Sequence, residues 1–189
     1  LYYYYLDKPI AFFVYEQHWK KISFLKYITW IPNHLLGIVL ILFPLVFFQK
    51  KLNHLMLFIW CYVVSLSIAY VLHDILKIIF GRYWPMTWNH SNPSLIRDNI
   101  YGFNWFHGST AISAFPSGHA TIITAAMVMI VLFIKKLYWL AGFLIALVCF
   151  ALVALNYHFL SDVIAGILLG ALVSQGCYTK MVKTASKIG

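Results

Sequence analysis

The sequence predicts an all-α integral membrane protein, an antiparallel bundle of transmembrane helices forming a single domain. Three observations carry that prediction. The 189 residues are 62% hydrophobic and only 10% charged, with a mean hydropathy of +0.81. A soluble fold needs more polar cover than that. Five apolar stretches, residues 31–48, 55–80, 118–134, 137–156 and 159–178, approach the roughly 20 residues that a helix needs to cross the hydrocarbon core. The last three have short connections, so their helices should lie antiparallel as neighbours. No linker, low-complexity tract or internal repeat interrupts residues 1–189, which is consistent with one domain.

The elements follow in order. Residues 8–28 mix aromatic side chains with Lys and Glu. Asp7 can cap a helix there, and Pro9 suits its first turn. This stretch predicts an N-terminal helix lying in the membrane interface; an ordinary extramembrane helix would read the same way. The first span, 31–48, has Pro44 near its end. The second, 55–80, ends in "HDILKIIFGRYWP". Residues 81–117 form a long outer loop rich in Asn, aromatic residues and Gly, suited to lid a pocket. Within it, Asn89-His90-Ser91 matches the glycosylation acceptor pattern. The third and fourth spans are 118–134 and 137–156. In the fifth, "GILLG" at 166–170 sets two glycines one turn apart, as close helix packing requires. Cys61, Cys149 and Cys177 fall inside helices without metal-ligand spacing and read as apolar filler.

Charge supplies the orientation. Lys50, Lys51, Lys135, Lys136, Lys180, Lys183 and Lys187 fall on one side, with no acidic residue. The positive-inside rule makes that side cytoplasmic. The bias explains much of the net charge of +9 without nucleic-acid binding. The expected location is therefore the plasma (inner) membrane, with residues 1–30, the 81–117 loop and the turn near 157 facing the periplasm or exterior. A chain that starts outside, and with Leu, further leads us to expect an upstream segment such as another transmembrane helix; a short exported terminus is the alternative.

An ionisable residue inside a membrane segment costs about 2.5–3.5 kcal/mol on insertion scales, so each needs a reason. Here they cluster. His73, Asp74 and Lys77 lie at the outer end of the second span, Ser117, Gly118 and His119 at the start of the third, and His158 and Asp162 at the start of the fifth. A bundle can gather all of them into one outward-facing pocket. His158 and Asp162 are one helical turn apart, on one face. Asp162 can fix one ring nitrogen of His158 and leave the other as a nucleophile; a polar helix cap would look the same. "PSGH" at 116–119 offers backbone N–H groups at a helix N-terminus, a ready anion site, with His119 as a proton donor beside it; a plain cap is again the alternative. Lys77 and Arg82 can bind phosphate oxygens or simply snorkel to the headgroups. Taken together, the set suits metal-free phosphoryl transfer through a phosphohistidine.

At these residues the chain resembles the lipid phosphate phosphatases of the type 2 phosphatidic acid phosphatase superfamily. That family's pattern is Lys, six residues, Arg-Pro; then Pro-Ser-Gly-His; then Ser-Arg, five residues, His, three residues, Asp. Here Lys77 and Pro85 keep the first spacing, "PSGH" is complete, and His158 and Asp162 keep the last. The resemblance spans roughly residues 30–178. It implies that His158 is the nucleophile, that Asp162 orients it, and that His119 protonates the leaving oxygen. It further implies that Lys77, Ser117 and Gly118 hold the phosphate, with no metal or cofactor. Two positions depart: Trp84 stands where the family has the arginine of Arg-Pro, and Ala151-Leu152 where it has Ser-Arg. Arg82 is the nearest candidate substitute, and Arg97, His107, Asn156 and Tyr157 are others. The expected substrate is a lipid phosphate or diphosphate in the bilayer. Transfer to a lipid acceptor, or lipid-phosphate binding without catalysis, are the alternatives.

Overall fold

A computed structural model describes residues 5–48, 53–87 and 91–188. Lys50, Lys51, Asn89 and His90, named above for orientation and glycosylation, lie outside the described residues. The described chain is helical, and only two isolated bridges have β geometry, Arg82 with Phe103 and Trp84 with Ser94.

Helix α1 covers Asp7–Glu16. It stops where His18 adopts a left-handed conformation, φ 55°. A 3-10 turn, Trp19–Lys21, and helix α2, Ser23–Ile28, follow. The stretch read as one interfacial helix is thus three helical pieces, broken where the basic "HWKK" run interrupts the apolar face. From Ser23 the chain already belongs to the first span, because Ser23–Pro44 is long and apolar enough to cross a membrane despite Lys26. Most of that span is helix α3, Ile31–Phe48, with Pro32 in its first turn, where no helical carbonyl needs the missing N–H.

Helix α4 runs from His54 to Phe80. Asn53 caps it, accepting the Met56 N–H at 2.8 Å. Gly81 ends it at φ 51°, donating its N–H to the Lys77 carbonyl at 3.0 Å. Only glycine suits this position, since a Cβ would collide with the backbone oxygen of Asn104 in the loop. That loop carries the single-turn helix α5, Leu95–Asp98. Its rings at Phe103 and Trp105 meet Phe80 at centroid distances of 5.8 and 4.8 Å, and Phe115 joins them at 4.8 Å from Phe80. The outer loop is therefore clamped onto the end of α4.

Helices α6, Gly118–Phe133, α7, Tyr138–Ala154, and α8, Leu160–Ile188, complete the bundle. Four segments are long and apolar enough to span, namely Ser23–Pro44, His54–Phe80, Lys135–Ala154 and Leu160–Ala185, which makes this a multi-pass membrane protein. The fifth expected span, α6, has 16 residues. At about 1.5 Å per residue it is about 24 Å long, shorter than the roughly 30 Å hydrocarbon core. It need not meet lipid end to end, because it is the central helix, buried on nearly every side by α3, α4, α7 and α8.

Lipid is as apolar as these side chains, so close packing and hydrogen bonds must hold the helices together. The broadest contact joins α6 to α8. A Cβ at Gly166 would lie 2.6 Å from the Ser117 carbonyl, and one at Gly170 would strike the Thr121 carbonyl and come within 2.9 Å of the Ala125 nitrogen. The two glycines of "GILLG" thus let the backbones touch. Ser174 adds a polar stitch, donating to the Ala125 carbonyl at 2.8 Å while its oxygen lies 2.8 Å from Ser65 Oγ of α4.

Candidate active site

The contact between α6 and α8 brings two distant motifs together. The Ser117 N–H donates to the backbone carbonyl of Asp162 at 3.0 Å, so the head of one helix is fastened to the head of the other. Ser117 is buried, and its hydroxyl caps α6 by accepting the Ala120 N–H. Its N–H is committed to the Asp162 carbonyl, while its hydroxyl accepts one bond and keeps an O–H to donate. The first-turn amides of Gly118 and His119 have no helical carbonyl to bond and remain the anion-facing groups.

His158 sits in the turn between α7 and α8. Asn156 makes that turn at φ 53°, a conformation asparagine tolerates. Its Nδ2 donates to the Ala11 carbonyl of α1 at 3.0 Å. His158 is 5% exposed, with its ring against Trp84 at 5.2 Å between centroids. Nδ1 lies 2.9 Å from the Ala114 carbonyl and 3.7 Å from Asp162 Oδ2. A carbonyl accepts only, so Nδ1 must carry the proton, and Nε2 keeps a lone pair. The tautomer assignment follows from this hydrogen-bond pattern. The group that fixes the tautomer is thus Ala114, with Asp162 close behind it. No sequence pattern marks a backbone carbonyl 44 residues away.

Asp162 is fully buried. Oδ2 accepts the Phe159 N–H at 2.9 Å, and Oδ1 accepts Nη1 of Arg82. Arg82 is thus held against Asp162. It too is 0% exposed. Nη1 also donates to Ser161 Oγ at 2.7 Å, and Nη2 donates to Asp7 Oδ2 at 2.7 Å and to Tyr101 at 3.2 Å. The rings of Phe159 and Phe103 lie 4.5 and 5.0 Å from its guanidinium carbon. Burial works against this charge, but Asp162 and Asp7 more than offset it, so its pKa stands above the ordinary arginine value. Arg82 is a permanent cation bound to two carboxylates.

Lys77, by contrast, lines a cavity of about 360 Å³ with Asp74, Ile78, Gly108, Ser109, Thr110 and Ser113. The hydroxyls of 109, 110 and 113 were not singled out in the sequence; a short polar run within an aromatic loop was the available signal. A Cβ on Gly118 would lie 2.6 Å from His73 Nε2 and 3.5 Å from Lys77 Nζ, so glycine alone admits both side chains at the head of α6. His119 lies within electrostatic reach of His158, Lys77 and His73. The convergent set is thus His73, Lys77, Gly118, His119 and His158, with Asp162 and Arg82 behind it.

The other candidates lie elsewhere or serve the scaffold. Arg97 pairs with Asp98 at 2.8 Å and donates to the carbonyls of Ser91 and Asn92, tying down the outer loop. His107 is exposed beside its neighbour's carbonyl, Trp105 O, at 2.7 Å. Trp84 and Leu152 are buried apolar side chains. Among the described residues, no group of three or more His, Cys, Asp or Glu side chains is arranged to hold a metal ion.

Comparison with known proteins adds an independent line. The pattern of the PAP2 superfamily matches residues 58–185. An undecaprenyl-diphosphatase of Sulfolobus acidocaldarius is 32% identical over 113 residues, a stretch covering 59% of this chain and 50% of that protein. The chain thus spans about half the length of this curated relative. No solved structure matches it.

Proposed function

The chain belongs to the PAP2 superfamily, and on that premise we propose that it removes phosphate from a membrane lipid phosphate or diphosphate through a phosphohistidine on His158. The observation that carries this reading is the His158 geometry: Nδ1 at 2.9 Å from a carbonyl and Nε2 left with its lone pair, within electrostatic reach of His119.

The chemistry runs in two halves. His158 Nε2 attacks phosphorus, forming a P–N bond as the bond to the leaving oxygen breaks. His119 gives that oxygen its proton. Asp162 meets the positive charge that develops on the His158 ring. Water then attacks the phosphorus and His119 takes its proton. The P–N bond breaks with its electron pair returning to Nε2, and inorganic phosphate leaves. Lys77 and the Gly118 and His119 amides bind the phosphoryl oxygens in both halves. His73 stands beside Lys77 with Nδ1 3.2 Å from the Ala69 carbonyl and Nε2 3.3 Å from Asp74 Oδ1.

Undecaprenyl diphosphate, the substrate in the relative's name, is the first lipid to test. The site faces the periplasm or exterior of the plasma membrane, a reading supported by the lysines gathered at the opposite end. A membrane-impermeant thiol reagent should label Ser113→Cys in intact cells if this orientation holds. The activity test is phosphate release from undecaprenyl diphosphate and phosphatidate in detergent, with chelator present. Release that survives chelator and disappears in His158→Ala supports the proposal. Unchanged release in His158→Ala would sink it.

One observation favours a second reading, a lipid-phosphate binder without turnover. Trp84 and Leu152 are buried at the two positions where the family pattern has arginine. That reading predicts lipid binding and no phosphate release by the wild-type chain.

A further inference from the structure

Helix α1 lies outside the residues that the superfamily pattern matches, yet it holds the turn that carries His158 on both sides. Upstream of His158, the Ala11 carbonyl accepts Asn156 Nδ2 at 3.0 Å. Downstream, Asp7 accepts the Ser161 N–H on Oδ1 at 3.0 Å and the Ser161 hydroxyl on Oδ2. Oδ2 also accepts Arg82 Nη2 at 2.7 Å and the Tyr101 hydroxyl at 3.3 Å. Ala11, Leu95 and Phe159 form a small apolar cluster between these two attachments, with Tyr101 against it. Asp7 was expected to cap α1, but Leu6 holds the cap position and the Asp7 carboxylate bonds Ser161, Arg82 and Tyr101. The carboxylate points away from its own helix and is 1% exposed.

A buried carboxylate is costly unless it is paired and hydrogen-bonded. This one is both, and its partners lead to the nucleophile. Arg82 links Asp7 to Asp162, and Asp162 stands 3.7 Å from His158 Nδ1. We propose that Asp7 is a positioning residue for the phosphatase reaction, fixing Arg82 and the 156–161 turn so that Asp162 and His158 keep their attacking geometry. The inference rests on the phosphatase reading. It makes α1 a working part of the site rather than a mere membrane anchor.

The test is Asp7→Asn in the full chain, assayed with undecaprenyl diphosphate and phosphatidate in mixed micelles. Asparagine keeps the shape and removes the charge. Because Asp7 touches no substrate, kcat should fall about 10–100-fold, the usual loss when the support of a reacting group is removed. KM should stay within about twofold, since substrate binding is untouched. Tyr101→Phe deletes one hydroxyl from the same network and should lower kcat alone, by less. It also decides the matter if Asp7→Asn does not fold. The Asp7→Asn and Arg82→Met losses in kcat should be non-additive, because both act through one network.

A folded Asp7→Asn protein with wild-type kcat, or one whose KM rises while kcat holds, would overturn the proposal. A lowered unfolding temperature with unchanged kcat would do the same, since that is the signature of a structural role. These results leave the phosphatase reading standing. A wild-type protein that releases no phosphate from either lipid removes both together.

Discussion

Replacing Arg82 by methionine is the most informative perturbation of the scaffold. The side chain is fully buried between Asp162 and Asp7 and donates to Ser161 and Tyr101 as well. Methionine fills similar space but leaves two carboxylates facing each other without a cation. Breaking a buried pair by removing one partner costs about 3–5 kcal/mol, because the remaining charge is buried and uncompensated. At about 2–4 °C per kcal/mol for a chain of this size, the unfolding temperature should fall by about 6–20 °C. Thermal unfolding of the purified protein in a fixed detergent reads this directly. Adding Asp7→Asn to Arg82→Met should recover part of the loss, since it removes one of the two unpaired carboxylates. A phosphate-binding arginine would behave differently: its loss would raise KM and leave the unfolding temperature nearly unchanged. An Arg82→Met protein within about 1 °C of wild type would refute the reasoning, because a shift that small corresponds to well under 1 kcal/mol.

Other predictions follow from the same geometry. His119→Ala should lower kcat by about 10²–10⁴ on a lipid phosphate, as expected for loss of a general acid. In single-turnover labelling of the protein, which isolates the first half-reaction, the loss with p-nitrophenyl phosphate should be much smaller, because that leaving group departs without a proton; equal losses of labelling with both substrates would remove His119 from the acid role. Gly170→Val should press a side chain into the Thr121 carbonyl and the Ala125 backbone. Overpacking of this kind costs about 1–3 kcal/mol, so the unfolding temperature should drop by several degrees while Gly176→Ala, with open space at its Cβ, should leave it unchanged. Trp84→Ala should strip the ring from His158 and lower kcat more than it raises KM, measured on the same lipid.

The bundle was legible because its signals are local. Apolar runs of membrane length, the "GILLG" spacing and the gathering of His73, Lys77, His119, His158 and Asp162 at one end are all readable from neighbours in sequence. The partners that sequence spacing does not show share a physical cause. Arg82 sits near the phosphate motifs in sequence, and a cation there reads as a phosphate ligand. Its direction is set by Asp7 and Asp162, 75 and 80 residues away. The Ser117 N–H reads as an anion donor until it is seen on the Asp162 carbonyl. Ala114 has no chemistry of its own to announce, since only its backbone oxygen acts. The first span began earlier than expected because Lys26 interrupts the apolar count without breaking the helix geometry. Side-chain type and spacing located the candidate groups; how each is held depended on long-range partners.

The central claim is that His158 carries the phosphoryl group, and the most direct measurement is to trap it. Wild-type protein mixed with lipid phosphate labelled at the terminal phosphorus should be denatured within the first turnover, and the protein-bound label tested for stability. A phosphohistidine survives alkali and hydrolyses in acid. The account predicts such a label on wild type, mapped to the peptide containing His158 and missing from His158→Ala. Label that is lost in alkali and kept in acid, or turnover by wild type with label on another residue, would contradict it.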